Sequence, residues 1–203
     1  MTARHRIGIF GGTFNPVHNG HIRLTEHYRK ALHLDRLIVI PTNIPPHKTV
    51  QNMASAADRY EMLKLAFSPY QDVCVSDMEL LAGGKSYTIN TLTQLRLQYP
   101  QDELFLIIGG DMFLCFDAWR EYRKILSMCR VCTAPREQGE LEALLSYQKK
   151  IDPEEKCTLV LDAPVFVLSS SLIRHRVRDG EDISGLVPLK VERYILEKGL
   201  YQS

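Results

Sequence analysis

The segment with the clearest chemical content lies near the N-terminus, where a glycine pair is followed by two histidines three residues apart. Residues 11–21 read GGTFNPVHNGH. At the start of a helix, side chains three residues apart project to the same side, so His18 and His21 can act on one ligand. Imidazole donates hydrogen bonds to phosphate oxygens and titrates near neutral pH. Glycines let the main chain approach a ligand closely, so the segment predicts a site for a phosphate-bearing molecule.

A second candidate anion site lies in the C-terminal part of the chain, where three consecutive serines precede an arginine. Residues 168–174 read LSSSLIR. Serines at a helix start cap the first turn, and the main-chain N–H groups of that turn attract negative charge together with the helix dipole. Arg174 can add a charge-assisted pair of hydrogen bonds to a phosphate.

Each segment also has a simpler interpretation. The first could be a strand-to-helix turn with two surface histidines, and the second an ordinary helix cap beside a solvated arginine. A zinc pair is a third interpretation, but no further ligand is close in the sequence and the histidines lack helical i, i+4 spacing. Two phosphate-binding patterns in one chain favour the functional interpretation of both.

The elements that must position these segments alternate between short apolar runs and helical patterns. Strands are predicted at residues 6–10, 37–40, 73–75, 104–108, 131–132 and 165–168. Helices are predicted at 22–32, 55–67, 88–97, 119–128 and 188–199, with one exposed helix and a loop in the polar segment 136–156. Continuous apolar strands alternating with helices indicate an α/β fold, a doubly wound parallel sheet with helices on both faces.

Ligands bind such sheets at the carboxyl ends of strands, where the winding reverses. The glycine pairs 11–12 and 109–110 and the serines 169–171 each follow a predicted strand. A single domain over residues 1–203 is expected, since this length does not demand two.

The composition of the chain argues against a nucleic-acid-binding, membrane-spanning or secreted protein. Hydrophobic residues make up 45% of the chain, charged residues 24%, and the net charge of +1 gives no bulk field for nucleic acid or an anionic membrane. No run reaches the roughly 18 apolar residues of a membrane span, and the N-terminus lacks the pattern of a signal peptide. Five cysteines at irregular spacing indicate a cytoplasmic protein with reduced thiols, and the pair Cys129 and Cys132 is not expected to bind metal.

Several residues near predicted strand ends or helix starts are candidates for binding a second substrate. Between them they provide positive charge, hydrogen-bonding groups at the start of a helix, a carboxylate that can bind sugar hydroxyls, and a flat aromatic ring. Taken singly, each could equally belong to a solvated loop or to core packing. The candidates are His47, Lys48, Tyr87, Thr88, Asp111 and Trp119.

Segment 11–21 resembles the signature of the nucleotidyltransferases that share an HxGH motif, a group with a Rossmann-like fold. Segment 168–174 is similar to their second signature, I-S-S-T-x-I-R, which holds the β- and γ-phosphates of ATP. Asn15 stands where the family usually has Asp. Asparagine keeps an acceptor oxygen but has no charge, which favours a structural role for this residue. The resemblance implies catalytic roles for His18, His21 and Arg174. It implies an ATP-binding role for Gly11, Gly12, Thr13, Phe14, Gly20, Ser169, Ser170, Ser171 and Ile173.

In their order along nearly the whole chain, the segments resemble the bacterial nicotinate-nucleotide adenylyltransferases. This resemblance implies transfer of AMP from ATP to nicotinate mononucleotide in NAD biosynthesis, with Mg²⁺ held through the ATP phosphates and no protein metal site. It implies that Lys48 contacts phosphate, that Tyr87 and Thr88 offer main-chain groups to the nicotinate carboxylate, and that Trp119 packs on the pyridine ring. One departure is the TAPR sequence at 133–136, where the family often has basic residues before the proline.

Two other functions stay open. A phosphopantetheine adenylyltransferase-like enzyme would share the phosphate segments, although the PPHK sequence at 45–48, the SYT sequence at 86–88 and the position of Trp119 argue against it. A non-catalytic nucleotide-binding sensor would bind ATP without releasing pyrophosphate.

Overall fold

The computed structural model describes residues 4–45, 52–135, 137, 139–162 and 168–202. The strands are Arg6–Gly12 (β1), Arg36–Pro41 (β2), Val73–Val75 (β3), Glu103–Ile107 (β4), Arg130–Thr133 (β5) and Thr158–Val160 (β6). The α-helices are Asn19–Ala31 (α1), Ala56–Phe67 (α2), Met78–Ala82 (α3), Thr88–Gln98 (α4), Gly110–Phe113 (α5), Tyr122–Met128 (α6), Glu140–Ile151 (α7), Ser170–Arg178 (α8) and Leu189–Glu197 (α9).

The six strands form one sheet in the order β3-β2-β1-β4-β5-β6. The pairs β1–β4, β4–β5 and β5–β6 are parallel, with Gly8 of β1 opposite Phe105 of β4. Successive strand residues point to opposite faces, yet Ile7 to Phe10 in β1 and Leu37 to Ile40 in β2 are all buried. Both faces of these strands are therefore covered, which confirms the predicted doubly wound α/β fold.

The predicted elements differ from the observed ones mainly at their ends. A 3₁₀ turn at Phe116–Ala118 delays α6 to Tyr122, three residues after the predicted start at 119. The short helices α3 and α5 and the strand β6 were not predicted. Of the strand predicted at 165–168, only Leu168 lies within the described residues.

The strand β6 is held by polar groups that its apolar pattern does not reveal. Asp152 follows α7, and its Oδ2 accepts from the main-chain N–H of Cys157 and Thr158 and from the Thr158 hydroxyl, each at 2.8 Å. Gln148 Nε2 donates to the Thr158 carbonyl at 3.1 Å. One carboxylate therefore organises the turn into the strand, which explains why β6 forms in a polar part of the sequence.

The chain divides into two compact units, so a single domain over 1–203 stays a prediction. The first unit takes the described residues of 1–11, 27–38 and 87–167, and it contains β4, β5 and β6. The second takes those of 12–26, 39–86 and 168–203. Both predicted phosphate-binding segments belong to the second unit, apart from Gly11.

The second unit is organised around the packing of α9 on α2. The predicted start and end of α9 are confirmed, with Pro188 as N-cap and Gly199 in a left-handed conformation after its end. Val191 and Ile195 are buried, and Tyr194 donates its hydroxyl hydrogen to Asp58 Oδ1 at 2.9 Å. The C-terminal segment is thereby tied to the first turn of α2.

All five cysteines are free thiols. Burial raises the pKa of Cys129 to about 12 and also raises the pKa of Cys132. Buried thiols of this kind are poor nucleophiles. No helix in the described part of the chain has both the length and the apolar content that a bilayer crossing needs.

Candidate active site

The loop that follows β1 is buried although it has no regular secondary structure. Residues 14–18 are all buried, and the Asn15–Pro16 peptide bond is cis. A Cβ atom on Gly12 would lie 3.0 Å from the Phe14 ring, so glycine is the residue that fits there. Phe14 has a φ of 48° and packs edge-on against His21, with ring centroids 5.0 Å apart.

The two histidines are locked against each other. Their rings stack with centroids 3.7 Å apart and an interplanar angle of 25°. The main-chain N–H of His18 donates to Nδ1 of His21 at 3.2 Å, and the N–H of His21 donates to Nδ1 of His18 at 3.4 Å. A ring nitrogen that accepts carries no hydrogen, so neutral imidazole then has its hydrogen on Nε2. The His21 N–H also donates to the His18 carbonyl at 2.9 Å. The contacts at Nδ1 favour the Nε2–H tautomer of both rings, which can donate to a phosphate oxygen.

Gly20 is fitted to this arrangement. A Cβ atom at position 20 would lie 3.0 Å from His18 Nδ1 and 3.1 Å from its Cε1. The same atom would lie 3.5 Å from Leu168 Cβ. Beside the close approach to a ligand that a glycine allows, the structure shows a second reason for glycine here, which is room for the His18 ring.

Asn15 has the structural role that its side chain predicts. It is 2% exposed, and its Oδ1 accepts from the Ala54 N–H at 2.9 Å and from the Tyr201 hydroxyl at 2.8 Å. Its Nδ2 donates to the Asn52 carbonyl at 3.3 Å, a bond that an aspartate could not make. Burial raises the pKa of Tyr201, against the opposing effect of the Arg174 and Arg59 charges, so this hydroxyl remains a donor.

The serine segment caps a helix and also contacts the histidine loop. Ser169 is the N-cap of α8, and its hydroxyl accepts from the Leu172 N–H at 3.2 Å. Ser170 Oγ donates to the Pro16 carbonyl at 2.8 Å, and Arg174 Nη1 donates to the Asn15 carbonyl at 2.8 Å. The two segments that sequence marked as phosphate sites, distant along the chain, therefore meet in the second unit.

The contacts within α8 refine the roles expected of its residues. Arg174 Nη2 donates to Ser171 Oγ at 3.3 Å, so both terminal nitrogens of this guanidinium contact protein. Ile173 is fully buried and its N–H donates to the Ser169 carbonyl. The role of these residues in holding ATP stays a prediction.

The first unit holds four of the candidates for a second substrate. Tyr87 precedes α4 as its N-cap, and Thr88 is the first helical residue. The Arg120 guanidinium carbon lies 5.1 Å from the centre of the Tyr87 ring. Trp119, adjacent to Arg120, is half-buried against Phe116, with ring centroids 5.2 Å apart.

Two points complete the placement of these candidates. Asp111 is an exposed residue in the first turn of α5. His47 and Lys48 lie outside the described residues. Their contribution to acceptor binding is therefore still an expectation from sequence.

Sequence reasoning missed Arg59, which is fully buried on α2. Its guanidinium donates to the carbonyls of Thr13 and Thr42 at 2.9 and 2.7 Å. The signal was present: Arg59 shares the buried face of α2 with Met62, Leu63 and Ala66, at helical spacing. An arginine on an apolar helix face must find buried partners.

The chain was compared with known protein families and with curated proteins. The cytidylyltransferase-like family model matches residues 9–176. A protein of Citrifermentans bemidjiense is 40% identical over 97% of this chain and 98% of its own length, and one of Desulfitobacterium hafniense is 41% identical over 97% and 96%. Both bear the name "probable nicotinate-nucleotide adenylyltransferase". The chain belongs to the cytidylyltransferase-like family and to the nicotinate-nucleotide adenylyltransferase family of these relatives.

Solved structures support the fold independently. The nicotinic acid mononucleotide adenylyltransferase of Plasmodium falciparum, complexed with NaAD, superposes with a TM-score of 0.78. The alignment covers 98% of each chain at 16% sequence identity. A second structure of that protein, complexed with APC, gives a TM-score of 0.77 at 15% identity. At such identities the similarity establishes the Rossmann-like fold.

The reciprocal hydrogen bonds predict the tautomer of both histidines. In the wild-type protein, ¹⁵N chemical shifts should show His18 and His21 as Nε2–H tautomers at a pH where imidazole is neutral. In Gly20→Ala the new methyl group displaces the His18 ring by a few tenths of an ångström, so the tautomer preference of His18 should weaken. An Nδ1–H tautomer at either histidine of the wild-type protein would contradict the arrangement.

The shared acceptor on Asn15 predicts coupling with Tyr201. Tyr201→Phe should lower the free energy of unfolding by about 0.5–1.5 kcal/mol, and Asn15→Ala by more, since it leaves two buried donors without a partner. In the double variant the losses should be less than additive, as measured by urea denaturation. Tyr194→Phe, whose hydroxyl instead bonds Asp58, is the control and should combine additively with Asn15→Ala. Additivity of the Tyr201 pair would show that its hydrogen bond contributes nothing.

Proposed function

We propose that the chain, as a member of this family, transfers AMP from ATP to nicotinate mononucleotide and releases pyrophosphate. The product is nicotinate adenine dinucleotide, an intermediate of NAD biosynthesis. The names of the relatives support this acceptor. The observation that carries the proposal is the stacked pair His18 and His21, set as two Nε2–H donors on the loop that Ser170 and Arg174 contact.

The chemistry requires positioning and charge stabilisation rather than a general base. The acceptor phosphate is ionised at neutral pH and attacks the α-phosphorus of ATP in line, while pyrophosphate leaves from the opposite side. No covalent intermediate forms on the protein. Donors aimed at the phosphate oxygens stabilise the charge that develops during transfer, and donors that are already oriented do so at no further reorganisation cost.

Each residue has a defined part in this proposal. His18 and His21 donate to oxygens of the α- and β-phosphates, and Arg174 with the first turn of α8 receives the leaving pyrophosphate. Arg174 performs this while Nη1 remains bonded to the Asn15 carbonyl, so the loop and the arginine are fixed together. The glycines and adjoining residues of the loop, with the serines of α8, line the ATP site. They are Gly11, Gly12, Thr13, Phe14, Gly20, Ser169, Ser170, Ser171 and Ile173.

Magnesium enters this reaction with ATP. Phosphate oxygens are hard ligands of the kind that Mg²⁺ prefers, and the ion shares the charge of the leaving pyrophosphate. The described residues contain no group of three or more His, Cys, Asp or Glu side chains arranged to hold a metal ion. We propose that ATP and nicotinate mononucleotide are the partners and that the free cysteines fit a reducing, cytoplasmic setting.

Residues at the start of α4 recognise the nicotinate carboxylate of the acceptor. Tyr87 makes no side-chain cap to the helix, and the Asn90 N–H donates to the Tyr87 carbonyl. The preceding N–H groups, those of Thr88 and Ile89, then bind the nicotinate carboxylate, which the helix dipole also favours. Thr88 begins that turn, Trp119 packs on the pyridine ring, and Asp111 binds sugar hydroxyls. His47 and Lys48 bring positive charge to the acceptor phosphate. Nicotinamide has an amide in place of the carboxylate, so its N–H groups would face the main-chain N–H groups of the protein. Donors on both sides would then lack an acceptor.

Removing one histidine tests the proposed catalytic pair. His18→Ala should lower the rate of pyrophosphate release by about 10²–10³-fold, the usual cost of losing one oriented donor in a transition state. The measurement is steady-state turnover with Mg-ATP and nicotinate mononucleotide. His5→Ala, an exposed histidine of the first unit, is the control and should retain wild-type turnover. A near-normal rate in His18→Ala would remove His18 from the mechanism.

Acceptor identity is tested by comparing two mononucleotides and phosphopantetheine under one set of conditions. Pyrophosphate release should be fast with nicotinate mononucleotide and at least about 10²-fold slower in kcat/KM with nicotinamide mononucleotide. Phosphopantetheine should give no release above background. Release with phosphopantetheine alone would keep the phosphate sites but discard the acceptor, and ATP binding without release from any of them would indicate a sensor.

A further inference from the structure

Arg59 is the largest of the side chains that the described structure buries completely. Four of its five N–H groups reach main-chain carbonyls: Nη1 donates to Thr13 and Thr42, Nη2 donates to Asn43 at 3.3 Å, and Nε donates to Ala54 at 3.2 Å. Burial lowers its pKa, and the Tyr201 hydroxyl acts in the opposite direction. An arginine keeps its charge under such conditions because its pKa starts above 12.

A purely stabilising role does not account for this choice of residue. Burying a charge costs several kcal/mol before any hydrogen bond forms, and a well-packed apolar side chain is often as stable. Guanidinium differs from an apolar group in presenting a rigid, planar set of donors. That geometry fixes the relative directions of several carbonyls, which packing alone cannot do.

The four carbonyls belong to different parts of the second unit. Thr13 lies in the loop that carries His18, whereas Thr42 and Asn43 follow β2 and Ala54 precedes α2. The Asn15 side chain makes a second connection from the loop to residues 52 and 54. Arg59 and Asn15 therefore both connect the loop to the segment that precedes α2.

From Asn43 the contacts continue to the residues just before Tyr87. The Asn43 N–H donates to Ser86 Oγ at 3.0 Å, and Asn43 Nδ2 donates to the Gly84 carbonyl at 3.0 Å. The Ser86 N–H donates to the Ile44 carbonyl at 3.0 Å. A change at the Asn43 carbonyl is thereby transmitted to Ser86, the residue that joins directly to Tyr87 and Thr88.

We propose that Arg59 is a positioning residue that fixes the histidine loop and the chain leading into the acceptor-binding helix start in one arrangement, and so sets the affinity for the acceptor. This inference rests on the proposed function, because it takes the main chain at Tyr87 and Thr88 as the contact of the nicotinate carboxylate. Three of the four carbonyls, those of Thr42, Asn43 and Ala54, belong to the segments after β2 and before α2. Only the Thr13 carbonyl belongs to the histidine loop. Loss of Arg59 therefore affects the acceptor more than ATP.

The test compares Arg59→Met and Arg59→Lys with Arg96→Met in the full chain. Arg96 is a matched control in the first unit, because it also donates to three main-chain carbonyls, those of Tyr99, Asp102 and Met128. Arg59→Met should raise KM for nicotinate mononucleotide about 10-fold, as expected for a misplacement of less than an ångström, with KM for ATP changed less than about 3-fold. Arg59→Lys should recover part of the affinity. Arg96→Met should lower the thermal midpoint and leave both KM values unchanged.

A second measurement does not depend on activity. Hydrogen exchange should accelerate in Arg59→Met at the amides of residues 42–44 and 84–86, with no acceleration in β4 or β5. If Arg59→Met does not fold, Arg59→Lys carries both measurements, with smaller effects in the same direction. Equal changes in both KM values, or a loss of stability with both KM values unchanged, would overturn the proposal. Failure of the wild-type protein to use nicotinate mononucleotide would instead refute the proposed function, and the exchange data would still decide whether Arg59 orders residues 84–86.

Discussion

An irregular loop must satisfy its buried carbonyl groups with side chains, and this requirement shapes the candidate active site. A strand or helix pairs its own main-chain groups in a regular pattern, whereas residues 13–16 lie between β1 and α1, outside both elements. Three side chains from two other helices provide the hydrogen bonds: Arg59 of α2 to Thr13, Arg174 of α8 to Asn15, and Ser170 of α8 to Pro16. These hydrogen bonds restrict the conformation of the loop.

That rigidity has a direct chemical consequence. The orientation of His18 and His21 depends on main-chain N–H groups that hold the ring nitrogens, and those N–H groups are fixed only if the loop is fixed. Electrostatic catalysis depends on donors that need no reorganisation when charge develops. Arg174 bonds the Asn15 carbonyl of the loop, and under the proposed function the same guanidinium also receives the leaving pyrophosphate.

Sequence predicted most of the fold and pointed to the two segments that the structure brings together at the candidate site, for reasons that are local. Continuous apolar runs predicted the strands because a parallel strand is buried on both faces. The histidine and serine segments could be recognised from their residue types alone. The reciprocal contacts of Asn15 with Tyr201, residues far apart in the sequence, could not be predicted because no local pattern encodes them. The strand β6 was missed because Asp152 and Gln148, rather than apolar residues, hold it. Arg59 was missed because arginines are rarely buried, although its spacing with Met62 and Leu63 places it on the buried face of α2.

The central claim is that the chain moves the AMP portion of ATP onto the phosphate of nicotinate mononucleotide. The most direct measurement uses ATP labelled at the α-phosphorus, incubated with Mg²⁺, the acceptor and the purified protein, followed by separation of the products. The account predicts that the label appears in nicotinate adenine dinucleotide, in a one-to-one ratio with unlabelled pyrophosphate. Label recovered as free AMP would show hydrolysis in place of transfer, and label remaining in ATP would show binding without reaction. Either result would contradict the account.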